Sequence, residues 1–318
     1  MRKIAITLAA LVLSASSLAQ DYPSRPIRIV VPYSAGGSSD GPMRVIAQEL
    51  SRQLGQQAIV ENKPGQGAML GSADVVKAAP DGYTLLLASN PNAISASLYS
   101  TLTHDPVEDF SPISLLCREQ AVLLVHPSLP VKSAHELVAY AKAQPGKIDY
   151  SSSGNGSAQH LFMAMFASMA GISLNHIPYK GSAQAVTDLL GGQVAAAMPG
   201  LAAMRGHIRE GKVRAIAVSG AKRSPLLPEV PTLDESGFKG YEAYVWMGLL
   251  APKGTPQAII DRLHRELVTA LRSPEVRSYM EKTANEVIGS TPAEFGAFFR
   301  AEKARWAKIV KETGARVD

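Results

Sequence analysis

Three short runs of small residues carry the groups that could do chemistry in this chain. The first is Ser34-Ala35-Gly36-Gly37-Ser38-Ser39-Asp40. The second is Gly154-Asn155-Gly156-Ser157, with His160 three residues further on, and the third is Tyr179-Lys180-Gly181-Ser182. Each separates a β-branched apolar stretch from a helix-periodic one, so each reads as a strand-to-helix turn. In open α/β sheets ligands bind outside the carboxyl ends of strands. There the unpaired N–H groups and positive dipole end of a helix favour an anion. Glycines let the backbone come close, and serine hydroxyls can donate to carboxylate oxygens. The same residue types also make ordinary helix caps. Three such turns spread over two halves of the chain suit an anion clamped between lobes.

Other chemistries leave fewer traces. No GxxxxGK[ST] is present, and Gly154-Asn155-Gly156 is not followed by the spacing of a dinucleotide loop. The seven histidines are scattered singly, with no HExxH and no Cys/His cluster, so neither a metal nor a cofactor is indicated. Gly37-Ser38-Ser39-Asp40-Gly41 does fit the G-x-S-x-G nucleophile elbow, which makes a secreted serine hydrolase using Ser39 the competing function. Against it, the pattern is loose, and it follows the first strand rather than several. The structural alternative is that Asp40 caps the helix and the glycines open its end to an anion.

The elements that must position these turns alternate. Ile27 to Pro32, Ala58 to Glu61 and Tyr83 to Ala88 read as strands. Pro42 to Leu54 and Ala73 to Ala78 read as the helices between them. This βαβαβ order predicts a parallel sheet with helices on its faces. Ala121 to His126, Ile148 to Ser151, Asn175 to Pro178, Ala195 to Met198 and Ala215 to Val218 predict a second small parallel sheet. Its helices are Ser133 to Ala143, Ala158 to Ala170 and Ala183 to Leu190. Leu161, Phe162, Met165, Phe166 and Met169 mark the core face of the second of these. After a strand at Ala243 to Ala251 come helices at Pro256 to Leu271, Pro274 to Lys282 and Pro292 to Thr313, which return to cover the first lobe. The expected division is residues 20–119 plus 242–318 for the first lobe and 120–241 for the second.

Bulk properties fit an exported protein. Arg2 and Lys3, the uncharged run Ile4 to Leu13, and the small residues Ser17 and Ala19 have the layout of a signal peptide over residues 1–19, with the mature chain starting near Gln20. No later stretch reaches the roughly 18 apolar residues of a membrane helix. The single Cys117 excludes an internal disulfide. The formal charge of +5 falls by two without Arg2 and Lys3, and no basic run carries interleaved aromatics, so nucleic acid is excluded as a partner.

The order and spacing of several stretches resemble one family across the whole mature chain. They include RPIRIVVPYSAGGSSD, VENKPGQGAMLGS, APDGYTLLLAS, PGKIDYSSSGNGSAQHL, HIPYKGSAQAVTDLLGGQV, RSPLLPEVPTLDESG and GYEAYVWMGLLAPKGTP. The family is the periplasmic solute-binding proteins of tripartite tricarboxylate transporters, often called the Bug family. The resemblance implies a type II periplasmic-binding-protein fold: two Rossmann-like α/β lobes with a ligand cleft between them. It implies a monomeric receptor, not an enzyme, that captures a small organic carboxylate and hands it to membrane transporter subunits. A sensor subunit delivering ligand to a signalling receptor would use the same fold. One ligand carboxylate is then held largely by backbone and water around Ser34 to Asp40 and around Ser89, Asn90 and Asn92. The second lobe contributes Gly154, Asn155, Gly156, Ser157 and His160, then Tyr179, Lys180 and Gly181, and the strand end at Pro199 and Gly200.

The chain departs from that family pattern twice. Where relatives carry acidic and amide residues after Gly191-Gly192-Gln193-Val194, this chain has Ala195-Ala196-Ala197-Met198-Pro199-Gly200. Where relatives often have Thr-His, it has Pro91-Asn92. Both departures point to an aromatic or weakly functionalised acid in preference to an amino acid.

Overall fold

The computed structural model describes residues 22–36, 39–99 and 102–314. The signal-peptide reading, Gly37 and Ser38 lie outside the described residues. Strand β1 (Ile27–Val31) is buried along nearly its whole length, as a strand covered on both faces must be. It pairs in parallel with β2 (Ala58–Asn62) and β3 (Thr84–Ser89). Helix α1 (Asp40–Leu54) follows β1, α2 (Met69–Val76) follows β2, and α3 (Asn90–Leu98) follows β3. Long strand β4 (Phe110–Gln120) leaves this sheet, and β10 (Tyr244–Pro252) re-enters it. With β11 (Asn285–Val287) the order is β11-β4-β10-β3-β1-β2.

The second sheet has the order β7-β6-β8-β5-β9. Its strands are β5 (Val122–Val125), β6 (Asp149–Ser152), β7 (Asn175–Pro178), β8 (Ala196–Ala197) and β9 (Arg214–Val218). Helices α4 (Ala134–Ala143), α5 (Ala158–Ala170), α6 (Ser182–Leu190) and α7 (Leu201–Arg209) belong to this half. Helices α8 (Gln257–Arg272), α9 (Pro274–Lys282) and α10 (Pro292–Thr313) close the chain.

Both sheets are mixed, which corrects the expectation of all-parallel sheets. Strand β5 runs antiparallel to β8 and β9, and β10 runs antiparallel to β3 and β4. The reason is topological. The chain leaves the first sheet at the edge where β1, β3 and β4 end, with only Ala121 between β4 and β5. It therefore enters the second sheet at the edge where β6 and β8 end, and must run against them. The return through β10 repeats the geometry. Sequence reading also missed α3, α7, β4 and β11. Pro112 within β4 argues against a strand, and it is accommodated at a register shift opposite Leu250.

One face of the first sheet packs Ile27, Ile29 and Val31 against Met43, Ile46 and Leu50 of α1 and Ile260, Leu263 and Leu267 of α8. The other face shares a continuous core with the second half. There Trp306 of α10 stacks on Phe162 of α5 with ring centroids 5.6 Å apart. Both Trp246 and Trp306 donate their indole N–H to the buried Glu302, at 3.0 and 2.8 Å. Each buried large side chain of this kind contributes about 1.5–3 kcal/mol of burial free energy. Of the predicted stripe on α5, Leu161, Phe162, Met165 and Phe166 are buried, whereas Met169 is exposed on the last turn.

The two crossings are tied together by one hydroxyl. Ser219 Oγ accepts from the Ala121 N–H at 2.8 Å and donates to the Ala243 carbonyl at 2.6 Å. Ser219 is buried, so both bonds are made away from water.

Candidate functional site

The ends of β1, β3 and β4 on one side, and of β6, β7 and β8 on the other, bring the small-residue turns to two facing edges. Each turn opens a helix, so backbone N–H groups point into the space between. No side chain caps α1 at Ser39, α6 at Gly181 or α7 at Gly200, and these helix ends keep their N–H groups available.

In the first turn Ser34, Ala35 and Gly36 are exposed, whereas Ser39 and Asp40 are buried. Gly36 has φ 75°, a left-handed conformation that favours glycine. Its N–H donates to Asp40 Oδ2 at 2.9 Å. The Asp40 carboxylate also accepts from Arg44 Nε and from Asn62 Nδ2, each at 2.9 Å. Burial by itself would raise its pKa; the bonds from Arg44, Gly36 and Asn62 outweigh burial and hold it below the usual value. Asp40 is the first helical residue and does not cap α1, contrary to the sequence reading. It folds the turn back on itself and fixes the turn's backbone without contributing a donor.

The β3 turn behaves similarly. Asn92 is fully buried; its Oδ1 accepts from the Ser89 N–H at 3.0 Å and from Tyr33 Oη at 3.1 Å, and its Nδ2 donates to Ser72 Oγ at 2.9 Å. Asn90 donates to the Tyr244 carbonyl at 3.0 Å and accepts from the Trp246 N–H at 3.2 Å, which fastens α3 to the returning strand. These amides hold the frame in place, and Ser89 with Asn92 forms a capping box at the start of α3.

In the second half, Gly154 has φ 127°, and a Cβ there would sit 3.3 Å from the Tyr179 carbonyl, so the second and third turns are packed side by side. Ser157 caps α5 by accepting from the His160 N–H at 3.3 Å. His160 Nδ1 accepts from the Gly156 N–H at 3.1 Å, so the ring is neutral with its proton on Nε2. His160 lies flat on His176, with centroids 3.9 Å apart and planes 4° apart. Burial pushes the His160 pKa down to about 4; burial and then the neighbouring His160 push His176 down to about 3. Tyr179 Oη donates to Asp188 at 2.7 Å, while Asn155 and Lys180 are exposed. Gly181 opens α6 and Gly200 opens α7, next to the buried Pro199.

One residue at this edge escaped sequence reading. Glu119, next to last in β4, is only 6% exposed. A Cβ on Gly200 would overlap its Oε1, so the carboxyl lies against the opening of α7. Burial, with no compensating partner among the described residues, pushes its pKa up to about 8. The signal was a lone acid between an apolar strand and the lobe crossing.

Uncapped helix ends in both halves of a doubly crossed pair of α/β lobes define the fold type, and comparison with known proteins agrees. The profile of the tripartite tricarboxylate transporter family receptor (TctC) matches residues 43–315. The chain belongs to this receptor family. It is 40% identical to protein BugT of Bordetella pertussis over 99% of this chain and 97% of that protein. A solved R. palustris protein with adipate superposes with a TM-score of 0.85 at 34% identity, covering 93% of this chain and 99% of the other. MatC from Rhodopseudomonas palustris, with bound malate, superposes with a TM-score of 0.82 at 29% identity, covering 91% and 100%. TctC receptors bind solutes for transport and are not enzymes, which sets aside Ser39 as a nucleophile. Among the described residues no helix is long and apolar enough to cross a membrane.

Proposed function

We propose that this receptor captures a small organic carboxylate at the junction of its lobes and presents it, in a closed form, to membrane subunits of a tripartite tricarboxylate-type transporter. The observation that carries this reading is the set of uncapped helix N-termini, α1 in one half and α6 and α7 in the other, whose N–H groups and dipoles suit a carboxylate without any dedicated cation. The adipate and malate held by two solved relatives support the same ligand class. Residues 20–119 with 242–318 form one jaw and 120–241 the other, hinged at the two crossings. The carboxylate docks on the turns at Ser34 to Asp40 and Ser89 to Asn92. Closure then brings Gly154 to Ser157, His160, Tyr179 to Gly181 and Gly200 over it. The ligand favours closure only through its stronger binding to that state. The apolar run Ala195 to Met198 favours an acid whose other end is weakly polar. Residues 1–19 direct export to the periplasm and are removed, and the mature protein works as a monomer.

A thermal-shift screen on refolded protein starting at Gln20 tests this reading. Acids present at about 100 times their Kd add roughly 2.7 kcal/mol of stability. A shift with aliphatic or aromatic acids supports carboxylate capture. Absence of any shift, together with ester turnover abolished by Ser39→Ala, overturns it.

A further inference from the structure

The Glu119 carboxyl is buried at the cleft edge, and no described residue donates to it or pairs with it. Directly opposite on β11 is Asn285, itself buried, whose Oδ1 has no hydrogen-bond partner. Side chains directly opposite on neighbouring strands share a face about 5 Å apart. Asn285 spends its Nδ2 on Thr283, so its unpaired group is an acceptor. On β10 the residue opposite Glu119 is Val245, which is apolar. On β4 itself, Cys117 is buried beyond it, while Arg118 lies on the other face and is held by Glu286. The remaining wall is the uncapped opening of α7 at Gly200. An unpaired carboxyl, an orphan acceptor and free helix N–H groups therefore converge where, among the described residues, no cation stands. The Asn285 Oδ1 is sealed without a partner, which is costly, while the Glu119 carboxyl keeps a narrow opening to solvent, so the cluster can be completed by something that enters.

Resting on the carboxylate reading above, we propose that Glu119 and Asn285 form the subsite for the far end of the ligand. The group they select is an uncharged one that both donates and accepts, such as a hydroxyl or a primary amide. A second carboxylate there would meet an acid and an acceptor with no cation to offset it, and a methyl end would leave three polar groups unsatisfied. Strand β10 lies between β4 and β3, so Glu119 is about two strand spacings, roughly 10 Å, from the β3 turn, with Asn285 one strand further out. That span fits a chain of about five to eight carbons.

The test is a calorimetric titration of straight-chain acids of matched length ending in methyl, hydroxyl, amide or carboxylate. Wild type, Glu119→Gln, Glu119→Leu and Asn285→Ala are compared. Wild type should bind the hydroxyl- or amide-ended acid about tenfold tighter than the methyl-ended one, the worth of one or two buried hydrogen bonds. Glu119→Leu should bring that ratio close to one while keeping affinity for the methyl-ended acid, Asn285→Ala should reduce it, and Glu119→Gln should retain most of it. An unchanged ratio in Glu119→Leu, or a diacid as the tightest ligand of wild type, overturns the subsite. Should Glu119→Leu fail to fold, an unchanged ratio in Asn285→Ala overturns it equally. If the methyl-ended acid binds but the ratio in wild type is one, only the subsite fails. If no acid binds at all, the carboxylate reading fails with it.

Discussion

Asp40 and Glu119 are both buried acids at the cleft edge of the first sheet, yet their surroundings are opposite. Asp40 is 4% exposed and takes hydrogen bonds from Gly36, Arg44 and Asn62. Glu119 is 6% exposed and takes none from the described residues. Burial raises the pKa of both; at Asp40 three donors reverse it, while at Glu119 nothing does. The contrast separates two uses of a polar side chain at one edge. The satisfied acid is part of the frame that holds the turn. The unsatisfied one has no partner among the described residues, and on the subsite proposal the ligand supplies it.

The largest effect should come from breaking the satisfied side. Asp40→Ala leaves an arginine, an amide and a backbone N–H without their shared acceptor and should cost about 3 kcal/mol in urea unfolding. Loss of less than about 0.5 kcal/mol would show that Asp40 does not hold the turn. Next, Ser219→Ala removes the clasp between the crossings and leaves the buried Ala121 N–H unpaired. It should cost about 1–3 kcal/mol in the same measurement and alter the equilibrium between open and closed forms.

The two acids also predict opposite pH signatures. The lowered pKa of Asp40 contributes stability that is present above the usual carboxylate pKa and lost as pH falls through the folded value. Glu119 has its folded pKa raised from 4.5 to about 8, so the folded state binds more protons than the unfolded one in between. Its effect is a stability that declines as pH rises from 4.5 to about 8. Glu119→Gln should therefore leave Tm nearly unchanged at acidic pH and raise it by about 2–4 °C at alkaline pH. A Tm difference between wild type and variant that is flat with pH would contradict this. The smallest effect belongs to Lys180→Ala. Its side chain is exposed, and removing it should weaken acid binding by less than about twofold in calorimetry.

Much of the fold was legible because the strands carry β-branched apolar runs and the helices carry apolar stripes. Ile27 to Val31 and Gln257 to Arg272 are cases where pattern and structure coincide within a residue or two. Strand direction at β5 and β10 was not legible, since it depends on where the chain crosses between lobes. The turns were recognisable from their Gly and Ser content, but not the division of labour within them. Asn90 and Asn92 look like ligand readers in sequence, and their partners at Tyr244, Trp246 and Ser72 appear only in three dimensions. Glu119 was invisible for the converse reason. A lone acid at a strand end reads as a solvated edge until Gly200 and Asn285 are seen to enclose it.

The central claim is that backbone donors at facing helix ends hold a ligand carboxylate. Titration calorimetry on refolded protein, with an acid that stabilises it and that acid's primary amide, tests this most directly. The acid should bind at least about 100-fold tighter, because the amide removes the charge that the helix ends favour and adds a donor where only donors are present. An amide that binds within about threefold of its acid would contradict the claim.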